Sequence, residues 1–419
     1  MTSKTRILFF YFFCHLIPAN AQITGNTRIH SLDYFIQEGL KNSPLLNDYR
    51  NQIRGNQVDS LRLGATRKPQ LDANGIIMAA PTYDGYGYDP AVSNGGLYSA
   101  LAGISQPLFT KKIYAPQYEG LQIENQSLGN SVQLSEHDLR KNITDQYLDL
   151  YADQKQQIYL VQVKDLLIKQ KEVLKILVEK GMYRQTDYMS LELAIQSQDI
   201  SIQQAELKFR ADLNTINLSC GISDAAMYSV EDPGLKEQLK NAEVPSAFLQ
   251  KFKIDSLQLV NTRNQVDIKY IPKISWFADA GIEASSPNLI DKSMGTSFGL
   301  SFSMPLYDGK QRDLQYRKID ISQNTVLQYK LFFKIQQSSR VEQANEQIKR
   351  TEQLILRLND QLGNADKLIN AEKALLEKGG ISVLDFIMAI KNQLDTKNQL
   401  NQAELMKMQL INELNYWNW

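Results

Sequence analysis

Cysteine and histidine are scarce in this chain, with 2 and 3 residues respectively among 419. Cys14 lies in the N-terminal apolar segment, which leaves Cys220 as a lone thiol that can form no internal disulfide. His30 and His137 are far apart in the sequence, and no metal-ligand or nucleophile spacing surrounds them. These absences predict a packed thiol at Cys220, no cofactor or metal, and no enzyme activity.

A dominant charge and long apolar runs are also missing. The 46 Lys and Arg side chains are balanced by 46 Asp and Glu side chains, which argues against nucleic acid as a partner. After Ala21 no apolar run approaches the roughly 20 residues that a transmembrane helix needs. The chain is therefore either soluble or crosses a membrane as strands.

The N-terminus has the pattern of a secretory signal peptide. Lys4 and Arg6 precede a short apolar run, and Ala19-Asn20-Ala21 then offers small residues around a cleavage site. The alternative is a membrane anchor, but the apolar run of about 11 residues is too short to span a bilayer as a helix. We predict a signal peptide over residues 1–21, with cleavage before Gln22.

The remainder of the chain contains the same motifs twice. Ser105–Phe109 is repeated as Ser303–Tyr307, at an offset of 198 residues. Lys180–Tyr188 is repeated as Lys378–Phe386, at the same offset of 198. Two matches at one offset predict an internal repeat.

Each predicted repeat has one order of elements: a helix, a strand pair, a long helix and a returning helix. The first repeat covers residues 22–221 and the second covers 246–419, with a linker over 222–245, which the family resemblance given below implies to be a periplasmic equatorial linker. Their opening helices are predicted over Ser31–Thr66 and Ser246–Tyr270. Prolines end these helices before the strands, and Pro107 and Pro305 are expected to end the strands before the long helices.

The strand pairs are predicted at about residues 70–106 and 273–304. In the second pair, Ile274–Ala284 and Thr296–Met304 alternate between apolar and polar residues, with an exception at Phe277. Strands of this length cross a bilayer when they are tilted. The apolar positions would face lipid, and Asp279 and Glu283 on the other face would line a lumen.

Four strands cannot close a barrel wide enough for a channel. Because an open sheet edge cannot face lipid, the strands of one chain must close with copies of themselves. The alternative is a soluble protein with two ordinary hairpins, whose apolar faces would then need a cover.

The long helices are predicted over Gln117–Lys180 and Leu314–Lys378, which contain no proline. Each would be roughly 96 Å long at about 1.5 Å per residue. Their spacing of apolar residues is typical of coiled coils rather than of a globular core. The returning helices are predicted over Asp187–Cys220 and Asp385–Leu414. A soluble coiled-coil scaffold would explain these helices equally well.

Two turns join the long helices to the returning helices. Each begins with a glycine that suits a helix C-terminus, at Gly181 and at Gly379. Each ends with an aspartate that suits the next helix N-terminus, at Asp187 and at Asp385, with Thr186 or Ser382 beside it. Capping is one interpretation of these aspartates, and a position lining the mouth of a tube is the other.

These motifs, in this order and present twice, resemble the TolC family of outer-membrane efflux proteins. The resemblance rests on Leu32-Asp33 through Asn42-Ser43-Pro44-Leu45-Leu46, on Gln106-Pro107-Leu108-Phe109, on Met304-Pro305-Leu306-Tyr307-Asp308-Gly309, and on the two turns. It implies a mixed α and β membrane protein. The homotrimer would form a 12-stranded transmembrane β-barrel in the lipid of the Gram-negative outer membrane, continued by a periplasmic α-helical barrel.

The resemblance also implies a function and partners. The protein would be the channel-tunnel of a tripartite efflux or type I secretion system. It would receive solutes or proteins from an inner-membrane pump through a periplasmic adaptor. The rival interpretations are a soluble periplasmic coiled-coil adaptor or scaffold, and an enzyme on a helical scaffold.

By the same resemblance, the two turns are the tips that contact the adaptor and gate the tunnel. The implied tip residues are Gly181, Met182, Tyr183, Arg184, Thr186, Asp187, Gly379, Gly380, Ser382, Leu384 and Asp385. In the family, acidic residues near this end form rings that favour cations, and Asp187 and Asp385 occupy the turn positions. One turn later, where some members carry another aspartate, this chain has Met388.

Overall fold

A computed structural model describes residues 29–89, 93, 95–223, 228–238 and 246–419. The predicted signal peptide and parts of the predicted linker lie outside the described residues. Within the described ranges, no helix combines the length and the apolar character needed to cross a membrane.

The opening helical region is broken at Ser43. Helix α1 (Leu32–Asn42) and helix α2 (Pro44–Ala65) occupy the region where the sequence predicts one helix. A residue before proline is disfavoured in the helical conformation, and Ser43 has an extended ψ of 115°. Its hydroxyl accepts a hydrogen bond from the Leu46 N–H at 3.4 Å and so caps α2. The prediction of one continuous helix is wrong for this reason.

Four strands form one antiparallel sheet in the order β2-β3-β5-β6. Their bounds are Gln70–Ala79 for β2, Gly96–Leu108 for β3, Lys273–Ala284 for β5 and Met294–Ser303 for β6. The two predicted strand pairs thus meet through β3 and β5. Strands β2 and β6 are the edges of this sheet, and each has one free side among the described residues.

Pro107 does not end its strand. Strand β3 continues through Leu108, and Pro107 pairs with Ser275 of β5. The pairing of β3 with β2 stops at Ser105, so beyond that residue β3 has a neighbour on one side only. A proline without an N–H is tolerated in such a place, because no second ladder needs its hydrogen bond.

Two long helices leave the sheet: α3 (Lys111–Glu179) with 69 residues and α6 (Gln311–Leu376) with 66 residues. They are about 104 Å and 99 Å long at ~1.5 Å per residue. Both start earlier than the sequence predicts, and α3 contains Pro116 in its second turn. The Pro116 carbonyl accepts a hydrogen bond from the Asn261 side chain at 2.9 Å.

Three further helices pack beside these two: α4 (Gln185–Cys220), α5 (Ala247–Asp267) and α7 (Val383–Trp417). The layer of helices that results is called the wall below. A single 3₁₀ turn, Ile268–Tyr270, extends α5 towards the sheet. Far from the sheet, the helices lie side by side in the order α4, α3, α7, α6. Near the sheet the order is α2, α3, α5, α6. The wall is therefore four elements wide at each level, as the sheet is.

A hydrophobic core lies midway along the wall, where α1, α3 and α4 meet. Strand β1 (Ile29–His30) pairs in parallel with β4 (Ser229–Val230) and covers this core. Tyr147 is fully buried, and its hydroxyl lies 2.8 Å from the Glu231 carbonyl oxygen. Tyr228 and Val230, which lie in the predicted linker, are buried here. Cys220 is buried in the same core, as predicted, and burial raises its pKa to about 12.

Candidate channel wall and tunnel tip

One face of the sheet is apolar and exposed. The register places the even-numbered residues of β3, β5 and β6 on this face together with the odd-numbered residues of β2. Phe298 is 90% exposed and Leu300 is 72% exposed on β6, and Leu71 and Ile77 are exposed on β2. A soluble chain would cover such a patch, whereas lipid would solvate it.

The opposite face carries the polar residues, and the register aligns three of them with Gly103 in one row. Asp72 of β2 pairs with Gly103 of β3, which pairs with Asp279 of β5, which pairs with Ser297 of β6. The Ser297 hydroxyl donates to the Asp279 carboxylate at 3.2 Å. The Asn74 side chain donates to the Asp72 carboxylate at 2.5 Å.

Gly103 makes room for the two carboxylates. A Cβ atom at Gly103 would lie 2.5 Å from Asp279 Oδ1 and 3.8 Å from Asp72 Oδ2. Both carboxylates thus lie next to Gly103, each on a strand that neighbours β3. The sequence pattern predicts Asp279 as a lumen residue, but it does not predict that Asp72 lies near it. That proximity depends on the pairing of β3 with β5, which joins the two halves of the chain.

Glu283 lies further along β5 on this polar face, opposite Ser99 of β3. It is exposed, and on this face of β5 only Gly281 lies between it and Asp279. Asp279 and Glu283, which the sequence predicts for a lumen, therefore share one face of the sheet. Phe277 lies on the same face and contacts the position above Gly299, where a Cβ would be 2.8 Å from the ring.

The two turns at the far end of the wall have one backbone geometry. Gly181 and Gly379 both have a φ of 73°, a left-handed conformation that glycine adopts without strain. The Met182 N–H donates to the Leu177 carbonyl at 2.9 Å, and the Gly380 N–H donates to the Leu375 carbonyl at 2.8 Å. These bonds close each long helix in the Schellman manner.

The turns also contact each other. The Tyr183 hydroxyl lies 3.0 Å from the Leu376 carbonyl oxygen and 2.8 Å from the Ile381 carbonyl oxygen. The Met182 methyl group lies 3.0 Å from the position of a Cβ on Gly379. Behind the turns, α3, α4, α6 and α7 share an apolar core that includes Leu174, Leu191, Leu376, Val383 and Phe386.

One of the two turn aspartates, Asp187, has the capping geometry that the sequence suggests. Asp187 accepts a hydrogen bond from the Arg184 N–H at 3.0 Å, and Arg184 is the residue before α4. Ser382 caps α7 by accepting from the Leu384 N–H at 3.1 Å, and Asp385 lies in the first turn. Thr186 lies inside α4 and is not the cap, since the helix begins one residue before it.

One further carboxylate lies near this end of the wall. Glu372 of α6 has a raised pKa because it is partly buried and because the Asp385 carboxylate is near. Leu384 and Met388 of α7 are exposed. The structure therefore brings the predicted tip residues of both turns into one cluster, and it adds Glu372, which the sequence pattern does not single out.

The comparisons with known proteins agree with this geometry. No protein-family model matches the sequence, and no curated protein matches it. Among solved structures, the outer membrane protein VceC of Vibrio cholerae is 14% identical to this chain, with a TM-score of 0.70 over 92% of this chain and 95% of that chain. The CmeC outer membrane channel of Campylobacter jejuni is 12% identical with a TM-score of 0.70, over 92% of this chain and 85% of that chain.

A third structure, the open state of the MtrE outer membrane channel of Neisseria gonorrhoeae, has a TM-score of 0.68 at 13% identity, over 92% of this chain and 88% of that chain. The chain has the TolC-like outer-membrane channel fold. Similarity at this level of identity establishes the fold, and it confirms the resemblance predicted from the sequence motifs.

Proposed function

We propose that this protein is one subunit of a homotrimeric outer-membrane channel that exports solutes or proteins. It lies in the Gram-negative outer membrane, with its helices in the periplasm. The observation that carries the proposal is the sheet: it has an exposed apolar face, a polar face and two free edges. Such a sheet is stable in lipid only when its edges are paired.

Each side of the sheet and helix wall is formed by an edge strand and by the outermost helices. Strand β2 and helices α2 and α4 form one side of the wall, and β6 and α6 form the other. Helices on both sides carry exposed apolar residues, among them Val58 and Leu61 on α2 and Ile321 and Ile335 on α6. Pairing of one side with the other in a second copy is a head-to-tail contact, which closes into a ring. Three copies give a barrel of 12 strands.

The duct performs no chemistry on what it carries. Its polar sheet face lines the barrel, and the long helices extend the passage by about 100 Å into the periplasm. Two repeats, at 22–221 and 246–419, build each subunit, and the equatorial linker over 222–245 joins them. An inner-membrane pump supplies the substrate, and a periplasmic adaptor connects the pump to the duct.

The two turns form the gate and the contact with the adaptor. Tyr183 holds the first turn against the second, and Met182 packs on Gly379. An adaptor that binds better to separated tips than to joined tips shifts the equilibrium towards the open duct. Asp187 and Asp385 bring negative charge to this end of the passage, and rings of charge bias which ions pass.

The test combines location, assembly and conductance. The protein is expressed with its own N-terminal segment, outer membranes are separated by density, and the detergent-extracted protein is cross-linked and inserted into planar bilayers. We expect an outer-membrane protein that cross-links as a trimer and conducts ions. Extraction from the cell without detergent as a monomer would instead support a soluble coiled-coil scaffold and would contradict the proposal.

A further inference from the structure

A cavity of about 290 Å³ lies where β6 gives way to α6. Its apolar and aromatic lining consists of Tyr270, Leu306 and Tyr307. Leu306 is 91% exposed and Tyr307 is 84% exposed. Both come shortly after the end of β6 in the sequence. In the proposed channel, this is the level at which the barrel leaves the membrane, where aromatic residues commonly meet lipid headgroups.

The charged lining of the cavity consists of Asp308, Lys310, Arg312 and Asp313. Two of these charged groups, Arg312 and Asp308, already have partners within the chain. The Arg312 guanidinium is 2.6 Å from the Asp267 carboxylate. The Asp308 carboxylate accepts hydrogen bonds from the Tyr270 hydroxyl and from the Arg312 N–H, and these bonds lower its pKa.

Lys310 and Asp313 are the charges that remain. Within the described part of the chain, neither side chain forms an ion pair, and both are exposed to solvent at the cavity. The cavity thus offers one cation and one anion that form no ion pair with each other. A ligand with a negative and a positive group would match this arrangement, whereas a purely anionic or purely cationic ligand would meet one repulsive charge.

The backbone at Lys310 is strained. Its φ is 68°, a left-handed conformation that residues with a Cβ rarely adopt. The preceding Gly309 has a similar φ of 66°, which glycine adopts freely. Local strain of this kind at a non-glycine residue tends to be kept where the side chain has a function. Here it directs a lysine to the cavity at the first residue before α6.

We propose that this cavity binds the zwitterionic phosphoethanolamine headgroup of a phospholipid in the periplasmic leaflet of the membrane. The phosphate lies at the Lys310 ammonium group, and the ethanolamine ammonium group lies at the Asp313 carboxylate. Leu306 and Tyr307 contact the glycerol and the first methylene groups of the acyl chains. This inference rests on the proposed function, because it takes the strand end as the membrane boundary.

The experiment measures which lipid the purified trimer retains. The protein is reconstituted in phosphatidylcholine nanodiscs containing equal small amounts of phosphatidylethanolamine and phosphatidylglycerol with matched acyl chains, and the bound lipid is determined by native mass spectrometry. We expect retention of phosphatidylethanolamine over both other lipids. Lys310→Gln should reduce retention of phosphatidylethanolamine by roughly tenfold, a change that corresponds to about 1.4 kcal/mol.

Asp313→Asn separates the two halves of the site. It should remove the preference for phosphatidylethanolamine over phosphatidylglycerol, since the phosphate partner stays in place. Lys318→Gln, an exposed lysine further along α6, is the matched control and should retain phosphatidylethanolamine as the wild type does. Each variant is checked for trimer formation and for conductance in phosphatidylcholine bilayers before its lipid is measured.

The outcomes distinguish this inference from the proposed function. A trimer that conducts but shows no lipid preference would overturn the headgroup site and leave the channel intact. Equal retention by Lys310→Gln and by the wild type would also overturn it. Cross-linking of Lys310 to a second copy in place of lipid would assign the cavity to the subunit contact, which again rejects the lipid. A protein that forms no conducting trimer would contradict the proposed function itself.

Discussion

The Tyr183 hydroxyl in the first tip turn lies 2.8 Å from the carbonyl oxygen of Ile381 in the second tip turn. It also lies within hydrogen-bond distance of the Leu376 carbonyl oxygen at the end of α6. One side chain therefore connects the two hairpins of helices at the end of the wall. Burial of the phenol raises the pKa of Tyr183, so the hydroxyl stays protonated as a donor at neutral pH.

Tyr183→Phe should favour the open duct. The substitution removes the hydroxyl and keeps the ring, and a hydrogen bond contributes about 0.5–1.5 kcal/mol net. We expect the open fraction in planar bilayers to rise roughly two- to tenfold. Tyr329→Phe, an exposed tyrosine on α6, is the control and should leave conductance unchanged. Equal conductance of Tyr183→Phe and the wild type would remove Tyr183 from the gate.

Phe298→Arg and Ser297→Arg test which sheet face meets lipid. The two residues are adjacent on β6 and lie on opposite faces. Arginine near the bilayer midplane of a barrel costs about 2–4 kcal/mol on the lipid face. We expect Phe298→Arg to reduce the amount of assembled trimer in outer membranes, and Ser297→Arg to leave it near the wild-type amount. The reverse order would show that the polar face is the outer one.

Asp72→Asn and Asp279→Asn test the row of carboxylates over Gly103. A unit charge at about 4 Å from a passing ion contributes about 1 kcal/mol even in water. The double variant should therefore lower the ratio of cation to anion permeability by roughly fivefold, measured from reversal potentials in a salt gradient. Asp291→Asn, in the exposed turn between β5 and β6, is the control. An unchanged ratio in the double variant would place this row away from the ion path.

Asp153 of α3 should make stability depend on pH. Burial raises its pKa to about 6, although Lys208 is its ion-pair partner. In the unfolded chain an aspartate has a pKa of about 3.9, so between about pH 4 and pH 6 the folded chain binds more protons. Stability from this group is therefore present below about pH 4 and is lost as the pH rises through about 6.

Asp153→Asn removes this titration. We expect the thermal-unfolding midpoint of the wild type to fall between pH 4 and pH 6 by more than that of Asp153→Asn. Asp395→Asn, an exposed aspartate on α7, is the control and should keep the wild-type slope. If Asp153→Asn has the same slope as the wild type, another group is responsible for the pH dependence.

Local chemistry allowed much of the fold to be predicted. Glycines at 181 and 379 end the long helices where the sequence pattern places the turns, because their left-handed conformation excludes most other residues. The alternation of apolar and polar residues in β5 and β6, with its one exception at Phe277, identified both strands and placed Phe298 and Ser297 on opposite faces. Proline was less reliable: it broke a helix at Ser43-Pro44, and it was tolerated at Pro116 and Pro107, because the cost depends on which hydrogen bonds the neighbours need.

The sequence by itself determined the order of the main helices and strands and the polar and apolar faces of its clearest strands, since these follow from backbone preference and periodicity. Only the tertiary structure decided the register of β3 against β5, and with it the approach of Asp72 and Asp279 over Gly103. It also decided that Tyr183 bonds to Ile381, residues that are 198 positions apart. Such pairings depend on how separate elements pack, and no local pattern in the chain specifies that packing.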